Sequence, residues 1–98
     1  MYRVIWRYRV ESERIKDFLK VYDSKGDWVQ LFSKSPDYVK TELFCETETN
    51  QMFITIDYWT SKEAYQEFYK KHKKEVDLID ALGDNMTSLE ERVAELMT

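Results

Sequence analysis

The single histidine of this chain is the side chain whose ordinary pKa lies nearest to neutral pH. His72 follows Phe68 by four residues and precedes Val76 by four, which places it on one stripe of a helix with these apolar residues. A neutral imidazole in that position could accept a proton from a substrate or act as an axial ligand. The alternative is a histidine at the edge of the core, hydrogen-bonded to backbone or to a tyrosine. His72 is therefore the candidate catalytic residue.

Aromatic residues are the second candidate for chemistry, since they make up 15% of the chain. Aromatic rings line pockets for flat molecules, and tyrosine hydroxyls position polar ligand atoms. We expect about half of them to serve packing alone, because a short domain needs its large residues for the core. The candidate substrate-binding residues are Trp6, Tyr8, Tyr22, Trp28, Phe32, Trp59, Tyr65 and Phe68.

Composition excludes several other classes of function. The formal net charge of −4 argues against nucleic-acid binding, which needs a basic surface. No second histidine, cysteine or acidic cluster accompanies His72, so a metal site built by the protein is not expected. Cys45 is the only cysteine, which fits a reducing compartment, and no run of about 20 apolar residues could span a membrane. No secretion signal is visible, so we expect a cytoplasmic protein.

Three segments have the alternation of β-strands. They are residues 2–10, 38–46 and 52–59, and the last two should form an antiparallel hairpin across the polar connection 47–50. The hairpin strands are largely apolar on both faces, and a single small chain has too few elements to cover both. A second subunit is the simplest cover, so we expect a homodimer.

Arginines dominate one face of the first strand. Arg3, Arg7 and Arg9 could recognise an anionic ligand, or pair with Glu42, Asp57 or a partner subunit.

Helical spacing occupies much of the remaining chain. Ser12 and Asp27 are predicted to cap two short helices, with Gly26 between them free to adopt positive φ. Thr60 and Glu63 have the spacing of a capping box, which predicts a long helix that ends near residue 82. The last ~14 residues read as a terminal helix capped at residue 87 or 88, and no fourth strand is evident.

Together these elements predict a single α+β domain over residues 1–98, with a ferredoxin-like antiparallel sheet and helices on one face. At this point the sequence resembles the antibiotic biosynthesis monooxygenase domains of the dimeric α/β-barrel superfamily. The resemblance covers about residues 2–82, and its most specific part is the junction at residues 57–65, Asp-Tyr-Trp-Thr-Ser-Lys-Glu-Ala-Tyr. The other segments that carry it are residues 6–10, 26–32, 36–43 and 68–72.

The resemblance implies a homodimer that packs sheet against sheet, with a pocket between each sheet and its own helices. It implies oxidation of a small aromatic or quinol metabolite by O₂ without a cofactor, and His72 or a tyrosine would remove the proton of a phenolic substrate. Trp59 matches a common family position, and His72 matches the histidine of the haem-degrading branch. That branch also uses an asparagine in the first strand and a tryptophan in the second helix, which this chain lacks, so haem degradation is disfavoured. A small-ligand-binding dimer without catalysis is the other alternative.

Overall fold

The computed structural model describes all 98 residues and contains one four-stranded antiparallel sheet with its helices on one face. The strand order β2-β3-β1-β4 is that of a ferredoxin-like fold, as the sequence predicted. The strands are β1 (Tyr2–Val10), β2 (Tyr38–Cys45), β3 (Met52–Trp59) and β4 (Thr87–Met97). The helices are α1 (Ile15–Tyr22, preceded by a 3₁₀ turn at Ser12–Arg14), α2 (Asp27–Phe32), α3 (Lys62–Lys71) and α4 (Lys73–Asp84).

The central strand β1 follows the predicted alternation. Tyr2, Val4, Tyr8 and Val10 are at most 4% exposed and form the core with the helices. The predicted hairpin is also present, since β2 and β3 pair antiparallel with Thr41 opposite Asp57. The alternation of side chains with a period of two was therefore enough to predict three of the four strands.

The C-terminal segment is a strand, and the predicted terminal helix is wrong. Thr87–Met97 pairs antiparallel along β1, with register shifts opposite Ile5/Trp6 and Arg9/Val10. These irregularities break the period-two alternation of side chains, so the apolar residues fall at spacings that resemble a helix. Pairing with β4 also satisfies the backbone edge of β1, which a helix could not do.

The predicted long helix after β3 is two helices, because the backbone breaks at His72 (φ −109°, ψ 29°). The predicted capping box is wrong as well. Ser61 is the N-cap, and its Oγ accepts from the Ala64 backbone N–H at 3.1 Å. The Thr60 hydroxyl instead donates to Asp37 Oδ1 at 2.9 Å, which fixes the end of β3 to the turn before β2.

The earlier helix starts also differ from the prediction. Ser12 opens the 3₁₀ turn rather than capping it, and Asp27 is the first residue of α2, whose N-cap is Gly26. Gly26 has φ −79°, so the positive φ expected from sequence does not occur. A glycine is needed there because a Cβ atom would lie 2.4 Å from the Val21 carbonyl oxygen.

The outer face of the sheet carries no helix. Arg7 pairs there with Glu46 (Nε–Oε2 2.9 Å) and lies 3.8 Å from Glu91. Arg3 lies over the Tyr58 ring at 5.2 Å. Asp57 points to the opposite face, so the expected arginine pairing with this residue is wrong.

Apolar side chains lie between these charges on the outer face. Ile5, Ile54 and Ile56 are half-buried, and Phe44 is 50% exposed. No helix of the structure combines the length and apolar content needed to cross a lipid bilayer.

Candidate active site

A cavity of about 280 Å³ opens between the helix-covered face of the sheet and the helices. One part of its wall is aromatic and consists of Trp6, Tyr8, Tyr22, Trp28, Phe32 and Tyr69. The other part is polar and consists of Thr41, Thr55, Asp57, Asp80, Asp84 and Glu90. Adjacent strands supply Trp6 and Tyr8 from β1, Thr41 from β2 and Thr55 and Asp57 from β3, since inward-facing residues of neighbouring strands lie side by side.

Five of the eight aromatic residues predicted to bind substrate line this cavity: Trp6, Tyr8, Tyr22, Trp28 and Phe32. The other three pack against one another beside it. Trp59 is completely buried, with the Tyr65 and Phe68 rings at 5.7 and 5.3 Å from its own. Tyr69, which sequence reasoning did not select, completes the wall from α3.

The structure places His72 away from this cavity. Its ring packs 4.3 Å from the Phe68 ring, and Nδ1 lies 3.1 Å from Glu75 Oε2. It borders a separate, shallow and mainly polar depression with Lys34, Asp37 and Lys71. The expectation that His72 lies in the pocket between sheet and helix is therefore wrong, because the chain turns at this residue from α3 into α4.

Asp57 is the most deeply buried carboxyl group that lines the cavity. It is 8% exposed, and burial raises its pKa from 3.8 to about 6, although the hydrogen bond from Thr41 opposes this rise. Thr41 Oγ1 donates to Asp57 Oδ1 at 2.6 Å, and the Tyr38 hydroxyl lies 2.7 Å from Thr41 Oγ1. A hydroxyl has one proton, so Tyr38 donates to Thr41 and Thr41 donates to Asp57.

Sequence reasoning did not select Asp57 as a functional residue. The sequence did contain an indication that Asp57 is functional, because this residue falls on the same face of its strand as Phe53, Thr55 and Trp59. A carboxylate on an otherwise inward-facing series is unusual unless it is paired or functional. The fold shows that no lysine or arginine lines this cavity to pair with it.

The tyrosines of the cavity remain protonated at neutral pH. Burial is the main cause that raises the pKa of Tyr8, Tyr22 and Tyr69 above the usual value of 10.0. The same effect raises the pKa of Tyr38 to about 12. The Tyr8 and Tyr22 hydroxyls can donate hydrogen bonds to a ligand, whereas Asp57 is the cavity group poised to accept a proton near neutral pH.

Three further carboxyl groups line the cavity and are more exposed than Asp57, and we call them its rim: Asp80 and Asp84 from α4, and Glu90 from β4. Partial burial raises the pKa of Asp80 and Glu90, and the negative charge of Asp84 adds to the rise in both. No three acidic, histidine or cysteine side chains are arranged to hold a metal ion.

Comparisons with solved structures find the same fold throughout. A conserved protein from Methanosarcina mazei Go1 superimposes with a TM-score of 0.80 at 13% identity, over 99% of this chain and 91% of that chain. A candidate antibiotic biosynthesis monooxygenase from Nitrosomonas europaea gives 0.77 at 8% identity, over 100% and 98% of the two chains. SnoaB, a cofactor-independent oxygenase from Streptomyces nogalater, gives 0.65 at 15% identity, over 99% and 91%.

No protein-family model and no curated protein matches the sequence. At these identities the structural likeness establishes the fold, and it confirms at that level the resemblance read from the sequence. The chain has the ferredoxin-like fold of the antibiotic biosynthesis monooxygenases.

Proposed function

We propose that this protein oxidises a small aromatic or quinol-type metabolite with O₂, without a metal or an organic cofactor. The observation that carries the proposal is Asp57, a buried carboxylate with a pKa of about 6 at the depth of an aromatic cavity. A general base works best when its pKa lies near the operating pH. The fold shared with a cofactor-independent oxygenase supports the same conclusion.

In the proposed reaction Asp57 Oδ2 removes a proton from an activated CH₂ group of a phenolic substrate. The resulting electron-rich anion transfers one electron to O₂, and the two radicals combine to form a C–O bond. The protonated Asp57 returns its proton to the resulting peroxide anion, and loss of water from the hydroperoxide leaves a carbonyl, so that CH₂ and O₂ become C=O and H₂O. The protonated Tyr8 and Tyr22 hydroxyls would donate hydrogen bonds to the substrate oxygens that gain negative charge.

The proposed active unit is a homodimer. The outer face of the sheet, with Ile5, Ile54, Ile56 and the half-exposed Phe44, would be covered by a second copy. The cavity lies on the opposite face of the sheet, so each subunit would keep its own site.

Haem is a poorer candidate for the ligand. Its propionates would have to lie near the carboxylates of Asp57, Asp80, Asp84 and Glu90, and no basic residue of the cavity offsets that repulsion.

The test measures O₂ uptake and incorporation of ¹⁸O from ¹⁸O₂ with anthrone as the probe, because its activated CH₂ group is the one that the proposed reaction converts to a carbonyl. Purified protein should accelerate uptake above the spontaneous rate, and Asp57→Asn should lower kcat about 100-fold or more, as expected for loss of a general base. Asp77→Asn is the matched control, because this exposed α4 carboxylate pairs with Lys73 outside the cavity. Uptake equal to the spontaneous rate, or an unaffected Asp57→Asn variant, would refute the oxidation. Ligand binding without O₂ uptake would instead support a non-catalytic binding protein.

A further inference from the structure

The polar wall of the cavity carries only one sign of charge. Its four ionisable carboxyls are Asp57, Asp80, Asp84 and Glu90, and no lysine, arginine or histidine lines it. Charged clefts with low-dielectric walls concentrate ligands of the opposite sign. The overall charge of −4 acts in the same direction.

A second observation, independent of the rim, points to a ligand inside the cavity. Asp57 is more than nine-tenths buried, yet it receives a single hydrogen bond, from Thr41 to Oδ1. No donor of the chain bonds to Oδ2, and this oxygen is not fully enclosed by the protein, so a group in the cavity can reach it. The unpartnered oxygen leaves a place for a donor group of the ligand.

The aromatic wall suits a cation as well as a flat ring. Trp6, Trp28, Tyr8 and Tyr22 all border the cavity. Indole and phenol rings attract an ammonium group through their negative faces, and this attraction is strongest for tryptophan. Aromatic rings together with carboxylates are the combination that recognises organic cations.

We propose that the substrate is an arylalkylamine, with its acidic ring group against Asp57 Oδ2 and its protonated amine against Asp80, Asp84 and Glu90. This inference rests on the proposed function for the placement of the ring. It also resolves an electrostatic difficulty of that function, because an anion formed beside three carboxylates would be destabilised. A substrate ammonium at the rim offsets both the carboxylates and the new negative charge.

The test is calorimetric titration with three naphthalene compounds of similar size and different charge: 2-(1-naphthyl)ethylamine, 2-(1-naphthyl)ethanol and 1-naphthylacetate. At pH 7.5 the amine should bind about 10-fold more tightly than the alcohol, and the carboxylate should bind most weakly. The double variant Asp80→Asn/Glu90→Gln should reduce that amine preference to about 2-fold, since the rim loses two charges while keeping its shape.

The matched control is Glu63→Gln/Glu67→Gln, which removes two exposed carboxylates of α3 that do not line the cavity. This variant should keep the full amine preference. Equal affinities, tightest binding of the carboxylate, no binding of any of the three, or a preference that survives Asp80→Asn/Glu90→Gln would each overturn the inference. Because binding is measured without O₂ uptake, an amine preference without oxidation refutes only the proposed function, and oxidation without an amine preference refutes only this inference.

Discussion

Thr41 and Asp57 face each other across the β2–β3 pair, and the 2.6 Å bond from the Thr41 hydroxyl is the one hydrogen bond that the Asp57 carboxylate receives. The Tyr38 hydroxyl, 2.7 Å from Thr41 Oγ1, extends the chain of donors. This chain orients one carboxylate oxygen and leaves the other towards the cavity. The free oxygen is the one that we propose accepts the substrate proton, and the bond from Thr41 sets the pKa at which it does so.

The stability of the protein should depend on pH through Asp57. Its folded-state pKa of about 6 lies above the ordinary 3.8, so the folded state binds more protons than the unfolded state between these values. The free energy of unfolding therefore falls as pH rises through this window. From pH 5 to pH 7 the contribution is about 1 kcal/mol, which corresponds to roughly 4–8 °C in Tm for a domain of this size.

Calorimetric Tm values at pH 5 and pH 7 for wild type and Asp57→Asn measure this effect. Burial also raises the pKa of Asp80 and Glu90, which act in the same direction, so the difference between wild type and variant isolates Asp57. An identical pH dependence in the two proteins would show that Asp57 ionises as freely when folded as when unfolded.

Thr41→Val should move the acid limb of the pH–rate profile to higher pH. The hydrogen bond from Thr41 lowers the pKa of Asp57 against the effect of burial, so its loss leaves burial unopposed. The measurement is kcat/KM against pH with a probe that the wild type oxidises. Thr41→Ser retains the hydroxyl and should keep the wild-type limb near pH 6. If both variants have the same limb, the hydrogen bond does not tune Asp57.

The fold was predictable where the side-chain pattern reflects burial. β1 and β3 alternate between buried and more exposed residues because one face of each packs against helices. β4 was not predicted, because its sequence does not alternate with a period of two. This strand lies at the edge of the sheet, is largely exposed and pairs with β1 in an irregular register. Its identity depends on the free edge of β1, which lies more than 75 residues away in the sequence.

The candidate site was predictable in its aromatic half only. Trp6, Tyr8 and Tyr22 follow from strand and helix patterns. The acidic half needed the fold, because Glu90 reaches the cavity from the misassigned β4. His72 was misplaced for a related reason, since a continuous helix would have kept it on the stripe that α3 presents to the sheet.

His72→Ala should leave turnover within about 2-fold of wild type and lower stability by roughly 1–3 kcal/mol, the usual range for truncating a packed side chain. The imidazole lies outside the aromatic cavity, and its side chain, 16% exposed, packs on the Phe68 ring. O₂ uptake and urea denaturation on the same preparation separate the two effects. A loss of turnover comparable to that of Asp57→Asn, in a variant that stays folded, would restore His72 as the catalytic base.

Gly83→Ala should destabilise the protein by about 1–3 kcal/mol, the usual cost of forcing an extra methyl into a packed site. A Cβ atom at this position would lie 2.2 Å from the Tyr22 hydroxyl oxygen. The Tyr22 ring cannot easily move, because it stacks 4.3 Å from the Phe18 ring and 4.9 Å from the Tyr8 ring.

Tyr22→Phe removes the clashing oxygen and supplies the control background. There the same glycine substitution should cost close to nothing, since alanine is favoured over glycine within a helix by about 1 kcal/mol. Urea denaturation of the four proteins gives the coupling energy. Equal costs in both backgrounds would mean that the Tyr22 hydroxyl does not set the requirement for glycine.

The homodimer proposed for this fold makes a sharp prediction at the outer sheet face. Ile56 lies opposite Ile5 on that face, and a lysine there would place a charge in the middle of the proposed interface. Sedimentation equilibrium should give about twice 11.9 kDa for the wild type and 11.9 kDa for Ile56→Lys.

Leu78→Lys is the control, because Leu78 on α4 is 70% exposed and lies on the other side of the sheet. It should remain dimeric. A wild type that sediments as a monomer would leave the apolar outer face without the cover that we propose, although the cavity beneath the helices would be unaffected, because each of its walls comes from one chain.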